Sequence, residues 1–395
     1  MAWEINWEGK EQTLKKKERE TVRQHRLQLQ IKYENREMKK KNLVFNMAII
    51  TISCLAFSCN KSITEPEKRI KTPREMTWTA DTLTSPDPTS IQLMMRNILA
   101  FSPNDIWVCG WSDVARGLLW HYDGKSWTES NIAADVGGMR VNDIAGYNSS
   151  NLWAVGYSGD EIFIARYDGT HWTRQNNMNI KGELLDMSKD PSGNIWACGR
   201  NGVILKYDKT RWIADTIKIN FSTPTEYFLK SIEYYNSKAY VLATTLIKNT
   251  GILKYYYIYG DINKWTIADS MTFDATLRKI KWGNWGLYGS AFEKIYSFGN
   301  VGSWIYDNEN WQPFNNSSAT IHGMNGISEN YLFAVGDFKQ ILFYDGNNWE
   351  NLIDIFHVKD SNFVFSNVWT TGYETFIIGD GNVGRYDGTI IFHGK

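Results

Sequence analysis

Short apolar runs alternate with turn residues along most of this chain, and the same arrangement recurs. One unit holds an apolar strand, a strand similar to Trp-Ala-Val-Gly, a strand ending in Tyr-Asp, and a Trp about five residues after that Tyr. Within the strands, apolar and polar residues alternate over 4–8 positions, which is typical of β-strands. The Tyr-Asp pairs begin at Tyr122, Tyr167, Tyr207, Tyr306, Tyr344 and Tyr386, with a degraded copy near Tyr259.

This spacing predicts the fold class. The mean period from Tyr122 to Tyr386 is about 44 residues, and a period of roughly 40–45 with several short strands per unit is typical of β-propellers. No segment after residue 60 shows a sustained helical period, which argues against a helical solenoid. The sequence therefore predicts an all-β propeller of about seven blades, each a four-stranded antiparallel sheet.

The two ends of the repeat predict how the ring closes. Six units have a Trp after the Tyr-Asp turn, whereas the last has Ile391 there. Trp78-Thr79 precedes the first complete unit and matches Trp127-Thr128. We expect Trp78 to begin the outer strand of the last blade, which would protect both open edges at the seam. The alternative is that residues 389–393 form that strand themselves.

The turn after the third strand resembles a turn found in known propeller repeats. Asp accepts hydrogen bonds from backbone N–H groups in tight turns, and Gly adopts positive φ easily. The pattern Tyr-Asp-Gly-x-x-Trp resembles the Asp-box turn of sialidase-type and photosystem-assembly-factor propellers, without its leading Ser. It is closer to the Trp-rich repeats of exported bacterial propellers. The resemblance covers about residues 76–395 and implies the fold; assembly of a membrane complex is one function that it suggests.

The N-terminal segment reads as a targeting signal. Residues 1–37 are either a polar N-terminal extension or the result of a mis-called start codon. Residues 38–58 have the basic start and the short apolar stretch of a signal peptide, and residues 59–76 are predicted to be a flexible tether before a propeller at 77–395. Residues 55–60 resemble the lipobox of bacterial lipoproteins, in a form similar to that of the Bacteroidetes. The resemblance implies a lipid on Cys59, and Asn60 favours the outer membrane of the cell envelope.

Charge and cysteine content exclude several classes of function. Residues 59–395 carry 31 Lys and Arg against 36 Asp and Glu, so nothing favours binding of nucleic acid. Cys109 and Cys198 replace small apolar residues of the second strand, which predicts buried thiols two blades apart and no disulfide. The His and Cys spacings fit no metal motif, and we expect no metal and no cofactor.

Propeller ligands commonly bind the face that carries the turns between second and third strands. The candidate binding residues on these turns are Trp111, Asp113, Tyr157, Asp160, Arg200, Asn201, Asp337, Lys339 and Asp380. Their mixture of aromatic, acidic and amide groups suits a protein or glycan; simple solvated hairpin tips are the alternative. We predict a monomeric, lipid-anchored, non-catalytic binding or scaffold module. The alternatives are a glycan hydrolase or lyase, and an assembly factor.

Overall fold

The computed structural model describes residues 69–395, apart from residues 86, 115–116, 176–177, 221–225, 248–251, 274–279, 290–292, 308 and 384–385. The described chain begins with a 3₁₀ turn at Pro73–Glu75 and strand β1 (Trp78–Leu83). One short helix, α1 (Ile132–Val136), follows the first blade. All other regular elements of the described residues are strands.

The strands form seven four-stranded antiparallel sheets, which confirms the predicted propeller. Blades 1 to 3 are built from β2 (Leu93–Ser102), β3 (Asp105–Ser112), β4 (Gly117–Tyr122) and β5 (Trp127–Ser130); β6 (Arg140–Asn148), β7 (Asn151–Ser158), β8 (Glu161–Tyr167) and β9 (Trp172–Arg174); and β10 (Leu184–Lys189), β11 (Ile195–Gly199), β12 (Val203–Tyr207) and β13 (Trp212–Thr216).

Blades 4 and 5 follow the same order along the chain. Their strands are β14 (Tyr227–Tyr235), β15 (Lys238–Ile247), β16 (Ile252–Asp261) and β17 (Lys264–Thr272), then β18 (Gly286–Gly289), β19 (Ile295–Gly299), β20 (Gly302–Asp307) and β21 (Asn310–Asn315). Blade 6 contains β22 (Ile321–Ser328), β23 (Tyr331–Gly336), β24 (Ile341–Tyr344) and β25 (Trp349–Asn351). Blade 7 contains β26 (Val364–Thr370), β27 (Thr375–Val383), β28 (Tyr386–Gly394) and β1.

The second strand of a blade is the most deeply buried. All residues of β11 and of β23 are buried, because the neighbouring blades cover both faces of these strands. Hydrophobic clusters of described residues fill each of the seven junctions between adjacent blades. Cys109 and Cys198 belong to two of these clusters and are buried free thiols, as the sequence predicted.

The N-terminal strand closes the ring. β1 pairs with β28 along its whole length, from Trp78 opposite Gly394 to Leu83 opposite Thr389. The innermost strands of blades 7 and 1, β26 and β2, are in contact with each other. This confirms closure by the N-terminal strand and removes the two sheet edges that a linear array would leave open.

The seventh Tyr-Asp pair lies in a different place from the other copies, so its predicted alignment was wrong. In blade 1, Tyr122 ends the third strand and pairs with Trp127. In blade 7, Gly394 occupies that position opposite Trp78, whereas Tyr386 begins β28. A Cβ at Gly394 would lie 3.0 Å from the Trp78 ring and 3.0 Å from Sδ of Met76, which explains the glycine there. Trp78 thus completes a set of seven outer-strand tryptophans.

The Asp of each well-preserved turn acts as expected. Asp168 Oδ1 accepts hydrogen bonds from the backbone N–H groups of Thr170 and His171, both at 2.8 Å, and Gly169 has φ of 100°. The bond from His171 and the bonds from Thr170 lower the pKa of Asp168 to about 2. The turn therefore fixes the chain direction just before the outer-strand Trp.

The end of the predicted tether packs on the propeller, which corrects the boundary at residue 76. The N–H of Lys71 donates to the carbonyl oxygen of Gly372 at 2.8 Å, and Tyr331 Oη donates to the Lys71 carbonyl oxygen at 2.7 Å. Arg74 pairs with Glu350 and Asp354 of blade 6 and the segment that follows it. Residues 1–68, with Cys59 and the predicted signal peptide, lie outside the described residues.

Candidate functional site

The inner strands surround a central channel. A cavity of about 800 Å³ lies on the propeller axis and is lined by residues from all seven inner strands. Its size is within the range of ligand sites in proteins. The start of each inner strand lies on the face that carries the turns between second and third strands, and we call that end of the channel the mouth.

A β-bulge near the start of an inner strand determines which side chains reach the channel. The pairing of first and second strands skips one residue in blades 1, 2, 3, 4, 6 and 7. A bulge reverses the in–out alternation that follows it, so polar residues face the axis where an apolar one would be expected. The bulged residues, all of which line the channel, are Arg96, Asn142, Leu185, Lys230, His322 and Ser366.

The residue after the bulge links its blade to a neighbour. Asp143 Oδ2 accepts a hydrogen bond from Met187 N at 2.7 Å, and Asp186 Oδ2 accepts one from Ile232 N at 2.7 Å. Asn97 donates to the Asn142 carbonyl oxygen at 2.8 Å. The members of this polar belt are Asn97, Asp143, Asp186, Ser231 and Asn367. The belt joins blades through buried hydrogen bonds, so most of its polar atoms serve the fold.

Three carboxyl groups of the channel wall have raised pKa values. Burial, followed by the neighbouring charge of Asp186, raises the pKa of Asp143 well above its usual range. Burial also raises the pKa of Asp186, an effect that hydrogen bonds from Ile232 N and the Ser231 side chain oppose. Burial raises the pKa of Glu233 to about 8, and Glu233 Oε2 accepts a hydrogen bond from the Ser188 hydroxyl at 2.7 Å. Burial therefore favours the neutral forms of Asp143 and Glu233, which lie beside the Asp186 carboxylate.

The mouth of the channel combines cations with an exposed aromatic ring. Lys230 Nζ lies 4.1 Å from the ring centroid of Trp285, a cation–π contact. The Trp285 side chain is 41% exposed, and its ring meets that of His322 edge-on at 4.8 Å. His322 Nε2 lies 2.7 Å from Asp337 Oδ1. We call Arg96, Lys230, Trp285, His322 and Asp337 the mouth cluster.

Two of the nine predicted binding residues line the channel. Trp111 lies on the wall, with the Arg140 guanidinium 5.0 Å from its ring centroid, and Asp337 orients His322. The remaining seven lie outside the channel, and their positions are Asp113, Tyr157, Asp160, Arg200, Asn201, Lys339 and Asp380. The structure thus brings together only a small part of the predicted set.

Several of these seven residues have structural partners. Asp113 Oδ1 accepts a hydrogen bond from the Ser90 hydroxyl at 2.6 Å and holds the entry into β2. Asp160 pairs with Lys181 at 2.9 Å, and Arg200 pairs with Glu226 at 2.7 Å.

The other four residues also lie in local structure of their blades. Asn201 has φ of 58° in its tight turn, and Lys339 Nζ lies 3.3 Å from the Val358 carbonyl oxygen. Asp380 is buried and accepts a hydrogen bond from Thr389 Oγ1 at 2.6 Å. Tyr157 is half-buried in β7, opposite Arg140.

The described residues set limits on other chemistry. They contain no group of three His, Cys, Asp or Glu side chains arranged to hold a metal ion. No helix among them is both long enough and apolar enough to span a bilayer. Of the arginines in the part of the chain that the structure describes, only Arg96 lines the channel. A converging arginine cluster, which a sialidase-like site requires, is therefore not assembled there.

Comparison with known proteins gives a similarity to one curated protein and to solved propeller structures. No protein-family model matches the chain. It is similar to the "Photosystem II assembly lipoprotein Ycf48" of Prochlorococcus marinus, with 33% identity over 112 residues, or 26% of this chain and 32% of that protein. The chain therefore matches about a third of the length of this curated relative.

Two solved structures extend the similarity over more of the chain. "YCF48 from Cyanidioschyzon merolae" has a TM-score of 0.52, and "YCF48 bound to D1 peptide" has a TM-score of 0.51. Each structure is 15% identical to this chain, and each match covers 80% of this chain. The match covers 98% of the Cyanidioschyzon merolae structure and 96% of the peptide-bound structure. At this identity the match shows a shared propeller fold.

Proposed function

We propose that this protein is a non-catalytic propeller that binds a segment of a partner protein at the mouth of its channel and supports the assembly of an envelope complex. The observation that carries the proposal is the mouth cluster, where Trp285 remains 41% exposed beside the cavity of about 800 Å³. Exposed tryptophans next to charged groups are common anchors for polypeptide ligands.

The role of the channel carboxyls supports binding rather than catalysis. Asp143 and Asp186 accept backbone hydrogen bonds from neighbouring blades, so they hold the ring together. A glycan hydrolase would need two carboxyl groups free to face a substrate. The similar fold of a propeller bound to a D1 peptide is consistent with a peptide ligand. An assembly role is what the name of the Prochlorococcus protein states for that protein.

The binding proposal is tested with a random-peptide display library and the purified full-length chain. We expect a family of related peptides, and Trp285→Ala should weaken their binding at least about tenfold, as loss of an anchor does. Ile267→Ala is the matched control, because Ile267 is 43% exposed and lies on the outer strand of blade 4. Failure to select any peptide would reject the proposal. Equal binding to Trp285→Ala, or binding only to acidic oligosaccharides, would also reject it.

We further propose that a lipid on Cys59 anchors the propeller in the outer membrane. The support is the lipobox resemblance of residues 55–60 and the position of residues 69–76 against blades 6 and 7, which gives the propeller a fixed attachment point. Metabolic labelling with an alkyne fatty acid should mark the wild-type protein and leave Cys59→Ala unmarked. Equal labelling of Cys54→Ala and the wild type is the expected control. Labelling of Cys59→Ala would contradict the anchor.

A further inference from the structure

Two cations of the channel mouth form no ion pair with a carboxylate of the residues that the structure describes. Arg96 and Lys230 both line the cavity, and neither forms an ion pair with any carboxylate of the described residues. Arg96 Nη2 lies 3.3 Å from Sδ of Met94, and Lys230 Nζ faces the Trp285 ring. Charged side chains at the wall of a cavity are normally paired, so two unpaired cations indicate a site for an anionic group.

Burial opposes negative charge on the carboxyl groups deeper in the channel. Burial raises the pKa values of Asp143, Asp186 and Glu233, which favours their neutral forms. Burial lowers the pKa of Lys230 to about 8, so this ammonium group remains mostly protonated at neutral pH. The mouth cluster thus holds two cations, Arg96 and Lys230, against one carboxyl group, Asp337, which is hydrogen-bonded to His322.

His322 contributes a buried acceptor at the same place. Its side chain is only 10% exposed, and Nδ1 has no hydrogen-bond partner among the described residues. Burial lowers the pKa of the ring, an effect that Asp337 opposes and the nearby charges of Arg96 and Lys230 reinforce. A neutral ring donates its Nε2 proton to Asp337, which leaves Nδ1 able only to accept. A buried acceptor without a donor is unfavourable.

We propose that the mouth binds a carboxylate of the partner peptide between Arg96 and Lys230, with a neighbouring N–H of the peptide donating to His322 Nδ1 beside Trp285. Arg and Lys bind carboxylates through charge-assisted hydrogen bonds, and a peptide carries an N–H close to each of its carboxylates. The inference rests on the proposed peptide-binding function and specifies its ligand chemistry. The carboxylate comes either from a free C-terminus or from an Asp or Glu side chain.

The test compares three pools of randomised heptapeptides on the purified full-length chain. One pool has a free C-terminal carboxylate and no acidic side chain. The second is amidated and contains one Asp, and the third is amidated and has no carboxylate. We expect at least one carboxylate pool to be retained at least about tenfold more than the neutral pool, in line with one charge-assisted contact. Retention of the first pool alone identifies a C-terminus, and retention of the second alone identifies a side chain.

Matched variants connect the effect to the mouth cluster. Arg96→Gln combined with Lys230→Gln should reduce retention to the level of the neutral pool, whereas Lys230→Arg should keep most of it. Lys206→Gln is the control, because Lys206 Nζ also lies over a Trp ring, 4.4 Å from the Trp196 centroid, outside the channel. Equal retention of all three pools, with dependence on Trp285, would overturn the carboxylate inference and leave peptide binding intact. No retention of any pool would overturn both.

Discussion

Glu233 makes the stability of the propeller depend on pH in a direction that the structure specifies. Its carboxyl group lies in the channel wall, and its pKa is raised from the usual 4.5 to about 8. Burial is the main cause of this rise, and the charge of Asp186 adds to it. The Ser188 hydroxyl donates to Glu233 Oε2 at 2.7 Å, a bond that opposes the rise. We consider the replacement Glu233→Gln, which keeps an acceptor oxygen for Ser188 and removes the titration.

The sign follows from proton binding. Between about pH 4.5 and about pH 8 the unfolded chain loses the Glu233 proton while the folded chain retains it, so wild-type stability falls as pH rises through this range. Above about pH 8 both states are ionised and this group causes no further change. Each pKa unit corresponds to about 1.4 kcal/mol, which sets an upper limit of about 5 kcal/mol. Because charges at buried protein sites are screened more strongly than a dry interior would allow, we expect about 2–4 kcal/mol.

Urea unfolding followed by tryptophan fluorescence measures this effect. At about pH 5 the variant and the wild type should have similar stability, and at about pH 8.5 the variant should be more stable by about 2–4 kcal/mol. Glu329→Gln is the control, because the Glu329 side chain is 59% exposed, and it should not change the pH dependence. If the difference between Glu233→Gln and the wild type is the same at both pH values, the assignment of a buried, protonated Glu233 is refuted.

Three other substitutions test the architecture. Trp78→Ala should lower the free energy of unfolding by about 2–4 kcal/mol and speed hydrogen exchange of the β28 amides. Trp349→Ala is the control, because Trp349 has the same position in blade 6, and it should leave exchange in β28 unchanged. Protected β28 amides in Trp78→Ala would contradict ring closure by β1. Asp143→Ala leaves the Met187 N–H without its acceptor and should lower the free energy of unfolding in urea by about 1–3 kcal/mol. Unchanged stability of this variant would show that the polar belt is not structural. Arg74→Ala removes exposed ion pairs, which contribute little to stability, and should leave the thermal midpoint nearly unchanged. A clear fall in the midpoint would show that residues 69–76 help to hold the ring closed.

The fold could be predicted because each blade repeats its own local pattern. Buried second strands such as β11 and β23 are continuous apolar runs, and the Trp after each turn marks the outer strand. The last repeat was misaligned because Tyr386-Asp387 has the right composition in the wrong place. Only the pairing of Gly394 with Trp78 shows that a glycine occupies the position that the Tyr has in blade 1. The close packing of Trp78 and Met76 against Gly394 leaves no room for the Tyr on which the repeat pattern depends.

The site could be predicted much less well. The expectation of polar hairpin tips identified Trp111 and Asp337 but missed Lys230, Trp285 and His322. Which residues face the axis depends on the β-bulge in six of the seven inner strands, and alternation of apolar and polar residues assumes that no bulge is present.

A weaker signal of the belt was available in the sequence. A polar residue directly before an aliphatic or Met residue recurs in the inner strands, at 97–98, 143–144, 186–187, 231–232 and 367–368. This pattern marks the polar belt, because a lone Asn, Asp or Ser inside an apolar strand needs a buried partner.

A crystal structure of the full-length chain with a selected peptide tests the central claim most directly. The account predicts that the peptide enters the channel mouth and that a carboxylate oxygen lies about 3 Å from Lys230 Nζ and from the Arg96 guanidinium, with Trp285 in contact. A peptide bound along an outer strand, or on the opposite face of the propeller, would contradict it.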